Sequence, residues 1–222
     1  MRNTGRGSAA LLMLVVSTAI EGLNRMIKKL LNTKHVCPWW LCFTFDNPIR
    51  KIIHDPVKIL SPYVHKGDMA IDIGPGMGYF TIPLAELVGP SGRITAIDIQ
   101  QKMLSALMAR AQKKGVSDRI KTHLANPDSI GFYEKSDFIL AFWMAHEVPD
   151  QRRFLSEIRN LMKPDGLFFL VEPLIHVSKN NFARAIETAK ELGLVIKESP
   201  KIRMSQSVLF TCGKNGRQKS RV

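Results

Sequence analysis

Hydrophobic residues along this chain follow two periods in alternation. Short, mainly apolar runs, Ala70–Ile73, Arg93–Asp98, Ser136–Trp143 and Leu167–Val171, read as buried strands, and Ile120–Ala125 as a further strand. Between them, apolar residues recur every three or four positions. Phe80, Leu84, Leu87 and Val88 mark one helix over Tyr79–Val88, and Met103, Leu104, Leu107 and Ala111 a second over Gln100–Lys114, stopped at Gly115. Pro149-Asp150 opens a third, with Phe154, Ile158, Leu161 and Met162 on one face. Phe182, Ile186 and Ala189 mark a fourth over Asn180–Leu192, ending at Gly193. Lys163-Pro164-Asp165-Gly166 reads as a turn, and Leu194–Glu198 with Ser207–Cys212 as a closing antiparallel hairpin. Strands alternating with helices predict a doubly wound α/β fold, a mostly parallel sheet covered on both faces.

One junction carries chemistry. Gly74-Pro75-Gly76-Met77-Gly78 follows the first strand directly, with glycine at alternate positions. Residues without a Cβ allow a sharp turn and a close approach of backbone to ligand, and the N–H groups opening the next helix face that turn. The loop has no Gly-Lys-Ser/Thr, so it is not a phosphate-binding P-loop, and Tyr79 stands where the dinucleotide fingerprint needs a third small residue. Asp98 ends the second strand, where a carboxylate can accept both hydroxyls of a ribose.

Asp72, Gly74, Gly76, Gly78 and Asp98 together resemble the class I S-adenosylmethionine-dependent methyltransferases, in which an acidic-x-G-x-G-x-G motif follows strand one and an acidic residue ends strand two. The resemblance extends over roughly Lys66–Gly213, and LMKPDGLFFLVEP resembles the fifth-strand signature of the small-molecule branch. It implies a seven-stranded Rossmann-like sheet of order 3-2-1-4-5-7-6 with strand seven antiparallel. It also implies S-adenosyl-L-methionine as cofactor, held by Asp72, Gly74, Pro75, Gly76, Gly78, Asp98, Ile99, Asn126 and Phe142. Asn126 departs from the Asp usual beside the adenine but still offers an amide. The loop Trp143-Met144-Ala145-His146-Glu147 falls where the superfamily contacts cofactor and acceptor, so His146 is the preferred candidate base, Glu147 and Glu172 weaker ones, and Trp143 a substrate-side residue. The alternative for His146 is a hydrogen bond to a neighbouring loop or to the cofactor.

Charge alters the reading of partners less than its total of +13 suggests. Residues 1–66 hold ten basic and three acidic residues, residues 67–212 eighteen and sixteen, and residues 213–222 four and none. The excess sits at the ends, leaving a nearly neutral core, so a small-molecule acceptor is favoured over a nucleic acid. An RNA or protein methyltransferase docking through basic termini stays as an alternative. The Asn/Asp-Pro-Pro-Tyr type sequence of amino-methylating nucleic-acid enzymes is missing after strand four. No Cys follows strands four or five for a covalent cytosine-5 mechanism, and no acidic cluster suggests a magnesium site. No metal is therefore expected.

The predicted organisation is an extension over 1–65, a cofactor-binding domain over 66–213 and a basic tail over 214–222. Within the extension, the apolar run Ala9–Ile20 after Arg2 and Arg6 resembles a secretory signal but is too short to span a bilayer, and a methyltransferase needs a cytoplasmic metabolite; the expected location is cytoplasmic. Residues 20–31 form a basic amphipathic helix, read as packing on the core, with peripheral membrane contact as the alternative. Trp39 and Trp40 are substrate-side candidates flanked by Cys37 and Cys42, which open a metalloid-methyltransferase alternative. Asp46-Asn47-Pro48 and His54-Asp55-Pro56 read as capped starts of two short helices, from which Arg50 or His54 could reach the substrate pocket.

Overall fold

The computed structural model describes residues 53–213. Residues 20–31, Cys37, Trp39, Trp40, Cys42, the Asp46-Asn47-Pro48 start, Arg50 and the tail 214–222 lie outside the described residues. The elements run α1 (Pro56–Leu60), β1 (Met69–Ile73), α2 (Thr81–Val88), β2 (Arg93–Asp98), α3 (Gln101–Lys113), β3 (Ile120–Leu124), β4 (Ser136–Phe142), α4 (Gln151–Leu161), β5 (Met162–Pro173), α5 (Lys179–Glu191), β6 (Leu194–Glu198) and β7 (Ser205–Cys212). The seven strands form one sheet in the order β3-β2-β1-β4-β5-β7-β6. β1 to β5 pair parallel, and β7 runs antiparallel to both neighbours. Both the order and the reversed last strand agree with the expected fold.

Side chains alternate across each strand, so consecutive apolar residues feed two cores. In β4, Phe138, Leu140 and Phe142 enter the layer shared with α1, α2 and α3, while Ile139 and Ala141 enter the layer shared with α4 and α5. Leu60 and Val64 belong to the first layer, so the segment preceding β1 is part of the core. α1 starts as its sequence predicts: Pro56 occupies the first turn and the Asp55 carboxylate caps the N–H groups of Val57 and Lys58.

Two local readings shift. The helix expected from Tyr79 begins at Thr81, because the turn closed by Gly78 N–H donating to the Pro75 carbonyl (3.0 Å) continues through Phe80. Lys163–Gly166 is drawn into β5 as an irregularity: Ser136 pairs Met162 and Phe138 pairs Leu167, so the extra residues bulge out. Lys163 Nζ reaches Asp137 Oδ2 at 2.7 Å, and the same oxygen accepts the Met69 N–H, which stitches the bulge to the start of β1.

Gly92 before β2 offers a stability test. A Cβ there would lie 2.4 Å from Val88 Cβ and 2.7 Å from the Asp68 carbonyl oxygen, and neither is a flexible side-chain end. Gly92→Ala is expected to cost roughly 1–3 kcal/mol of unfolding free energy through overpacking, read as a lowered urea midpoint. Among the described residues no helix is long and apolar enough to cross a membrane.

Candidate active site

The carboxyl ends of β1, β2, β3 and β4 converge on the glycine turn. Gly74 N–H donates to the Ile97 carbonyl (2.8 Å), locking the end of β1 to that of β2. Gly74, Gly76 and Gly78 all have positive φ, at 67°, 54° and 87°. Their surroundings differ. A Cβ on Gly74 would meet Met144 Cβ at 2.8 Å and one on Gly78 would meet Leu107 Cγ at 3.0 Å, whereas one on Gly76 would meet no atom of the described residues within 4 Å. Gly74 and Gly78 are thus demanded by packing as well as by φ, whereas the backbone at Gly76 lies open. Pro75 is buried between them. Asp72, buried inside β1, accepts the Thr81 hydroxyl at 2.6 Å and so ties the strand to the first turn of α2. Arg110 of α3 holds the Met77 carbonyl at 3.0 Å.

Asp98 faces this turn. Its carboxylate accepts the Gln100 N–H at 2.9 Å and further backbone hydrogen bonds from Gly76 and Ile99. Burial raises its pKa from 3.8 to about 6, and those three hydrogen bonds only partly offset the rise. A buried carboxylate beside an open backbone cradle, with no cation in the loop, suits neutral donors such as the hydroxyls of a ribose. Ile99 is half-buried beside it. The end of β3 is brought alongside by Ala125 N–H donating to the Asp98 carbonyl, and the exposed Asn126 follows in a bridge with Ser129. Glu157 of α4 anchors that loop through Ser129 Oγ (3.0 Å) and Ile130 N–H (2.6 Å).

β4 delivers the other wall. Phe142 is buried, its ring 4.2 Å from that of Phe80. Trp143 adopts φ 60°, an uncommon conformation for a bulky residue, and its indole N–H donates to Ser205 Oγ at 2.9 Å. Buried His54 sets its ring edge-on to Phe142 and Trp143, pairs through Nε2 with the Arg203 carbonyl (2.8 Å), and accepts the Tyr79 hydroxyl on its own carbonyl (2.7 Å). The pre-core segment is thereby pinned to the glycine turn, the β4 loop and the approach to β7.

After Trp143 and Met144 comes a single 3₁₀ turn, Ala145–Glu147. His146 Nδ1 lies 2.5 Å from Glu172 Oε2, and the other Glu172 oxygen accepts the Ala145 N–H at 2.9 Å. Glu172 is 3% exposed, while the His146 side chain keeps 24% of its surface open. Burial pulls the His146 pKa down, but the hydrogen bond and charge of Glu172, helped by the charge of Glu147, outweigh it and leave the value raised. The His176 ring stacks parallel to that of His146 at 5.8 Å.

Of the residues singled out from sequence, the structure gathers Asp72, Gly74, Pro75, Gly76, Gly78, Asp98, Ile99, Asn126, Phe142, Trp143, His146 and Glu147 at or beside these strand ends. Sequence reasoning ranked Glu172 low, and it is the direct partner of His146. It missed Thr81, Tyr79 and Ser205 as supports, since their contacts arise from topology and leave no spacing signature. The nearest signal was available for Glu172 alone: an acidic residue at the apolar carboxyl end of a strand, matching the position of Asp98.

A methyltransferase domain family matches residues 64–209. The chain is 32% identical over 110 residues to the demethylmenaquinone methyltransferase of Lactobacillus johnsonii, an alignment covering 49% of this chain and 45% of that protein. It spans about half the length of the curated relatives it matches. Its fold is similar to that of an S-adenosylmethionine-dependent methyltransferase from Aquifex aeolicus, with TM-score 0.71 and 20% identity over 79% of this chain and 98% of that one. It is also similar to Aeropyrum pernix fibrillarin bound to S-adenosyl-L-methionine, with TM-score 0.55 and 18% identity over 67% of this chain and 68% of that one.

Proposed function

The chain belongs to the methyltransferase domain family, and from that premise we propose that it transfers a methyl group from S-adenosyl-L-methionine to a small-molecule acceptor. The observation that carries this reading is the open cradle at Gly76 beside the buried Asp98 carboxylate, at the adjoining ends of β1 and β2. In the Lactobacillus johnsonii protein the named acceptor is demethylmenaquinone. That likeness, with the near-neutral charge of residues 67–212, supports a small and hydrophobic acceptor here.

When bound, the cofactor supplies an electrophilic methyl group on a sulfonium. The chain supplies the rest. Gly74, Pro75, Gly76 and Gly78 admit the ligand to the backbone, Asp98 accepts its ribose hydroxyls, and Asp72 orders the turn through Thr81. Asn126 borders the adenine, with Ile99 and Phe142 as further cofactor contacts. Trp143 bounds the acceptor, and His146, with Glu147 close by, stands ready as a general base. Holding the acceptor in line with the methyl group is the larger part of the catalytic task.

Calorimetric titration with S-adenosylhomocysteine tests the cofactor assignment, and release of that product in the presence of reduced naphthoquinones, set against total RNA, tests the acceptor class. Product release driven by RNA and not by small molecules would sink the proposal. Asp98 adds a pH signature. Its free-state pKa of about 6 means the carboxyl is largely protonated at pH 5 and must ionise to receive two hydroxyls, so binding releases a proton there. Affinity is expected to rise with pH by roughly tenfold per unit up to about 6 and then level off. Calorimetry at pH 5.5 in two buffers of different ionisation enthalpy reads the proton directly, and no buffer dependence would contradict the assignment. The sign for stability is opposite: because folding raises this pKa, the Asp98 contribution to stability of the ligand-free protein declines as pH climbs from 3.8 to about 6.

A further inference from the structure

We infer that Glu172 is a positioning residue, holding His146 in the tautomer whose Nε2 takes a proton from the acceptor, and that the site is therefore built for a hydroxyl acceptor such as a phenol, enol or hydroquinone. This rests on the methyltransferase reading and deepens it. Both Glu172 oxygens are engaged by hydrogen-bond donors: Oε1 by the Ala145 N–H at 2.9 Å and Oε2 by the imidazole at 2.5 Å. An ionised carboxylate has no proton to give, so the contact places a proton on Nδ1, and in the neutral imidazole Nε2 is then the lone-pair nitrogen. Glu172 is 3% exposed and sits near the end of β5, so the imidazole cannot turn without leaving one buried carboxylate oxygen unpaired. The ring keeps a quarter of its surface open, which leaves it reachable by a small molecule.

The chemistry of the dyad selects among acceptors. A thiol ionises unaided near pH 8.5 and is strongly nucleophilic, so it needs no base, whereas a phenol ionises near pH 10 and is almost wholly neutral at pH 7. A base made stronger by a buried carboxylate is matched to the second case. In the step, the acceptor O–H bond breaks and its proton passes to His146 Nε2. The oxygen electron pair forms the new bond to the methyl carbon, and the old carbon–sulfur bond breaks with its electrons staying on sulfur. The imidazolium is left paired with Glu172, with the carboxylate of Glu147 on the same turn and the ring of His176, from the loop after β5, stacked against it.

Glu172→Gln separates positioning from simple packing. The amide oxygen still accepts the Ala145 N–H, so the loop stays tied, but the amide nitrogen now donates to Nδ1 and forces the proton onto Nε2. With isotope-labelled histidine in the full chain and S-adenosylhomocysteine bound, NMR of the wild type should show neutral His146 with Nδ1–H and a bare Nε2, titrating above 6.5. Glu172→Gln should invert the tautomer and lower the titration point by about one unit or more, with affinity for S-adenosylhomocysteine within about twofold. In turnover assays, phenols and reduced naphthoquinones should release product, with Glu172→Gln slowing that release about a hundredfold. An Nε2–H tautomer in the wild type overturns the inference, and that measurement needs no variant to fold. So do an unchanged tautomer in Glu172→Gln, equal rates in the two proteins, or product release confined to thiols or arsenite or absent with every hydroxyl probe. Failure of the wild type to bind S-adenosylhomocysteine would instead strike the methyltransferase reading itself.

Discussion

Replacing Gly76 by alanine is expected to weaken S-adenosylmethionine binding by about a hundredfold or more while the protein stays folded. Among the described residues the added methyl would meet no atom within 4 Å, so none of their packing is displaced. The remaining penalty is conformational: φ is 54°, where an alanine costs on the order of 1 kcal/mol. That lowers the melting temperature by only a few degrees. The same methyl, however, projects from the backbone that the ligand must approach, and a clash worth about 3 kcal/mol corresponds to the hundredfold loss. Gly74→Ala is the internal contrast. Its Cβ would sit 2.8 Å from Met144 Cβ, so fold and binding should fail together. Thermal denaturation and calorimetric titration of both variants read the two effects apart. Unimpaired binding by Gly76→Ala would show that the ligand does not lie against this turn.

How much of this was legible in the sequence depends on the distance over which each feature acts. Strands β1, β2, β4 and β5 declare themselves because a doubly covered parallel strand must be apolar on both sides, and Ile139 and Leu140, facing different cores, show why no alternation appears. The glycine turn is equally local, since positive φ is required at three fixed positions. β3 is less legible: Ile120–Ala125 reads as a strand, but only Ile120 at its head is buried and its register is set by pairing with β2 alone. What stayed hidden was long-range. Glu172 meets His146 across 26 residues and Trp143 meets Ser205 across 62, contacts that exist only once β4, β5 and β7 lie side by side. The Lys163–Gly166 segment carries genuine turn residues, but its turn signal yields to the ion pair with Asp137 and to the close packing of Gly166, whose Cβ would lie 2.9 Å from the Ser136 carbonyl oxygen.

His146→Ala is expected to lower turnover by roughly a hundredfold to ten-thousandfold, the range of a lost general base, with cofactor affinity changed by less than about threefold. The split follows from geometry. Cofactor contacts are assigned to the turn at Gly74–Gly78, to Asp98 and to the loop at Asn126, whereas among the described residues the imidazole pairs with Glu172, on β5. Removing the ring leaves Glu172 Oε1 still bound to the Ala145 N–H, so the β4 loop keeps one of its two ties and Trp143 keeps its bond to Ser205. The pH profile supplies a second check. Because the pKa of His146 is raised by Glu172, wild-type turnover should increase with pH through a point above 6.5 as the imidazole loses its proton, and that limb should vanish in His146→Ala. Loss of cofactor affinity with turnover preserved at saturation would assign His146 to binding. A retained pH limb would assign the base to another group, with Glu147 the nearest ionisable candidate on the same turn.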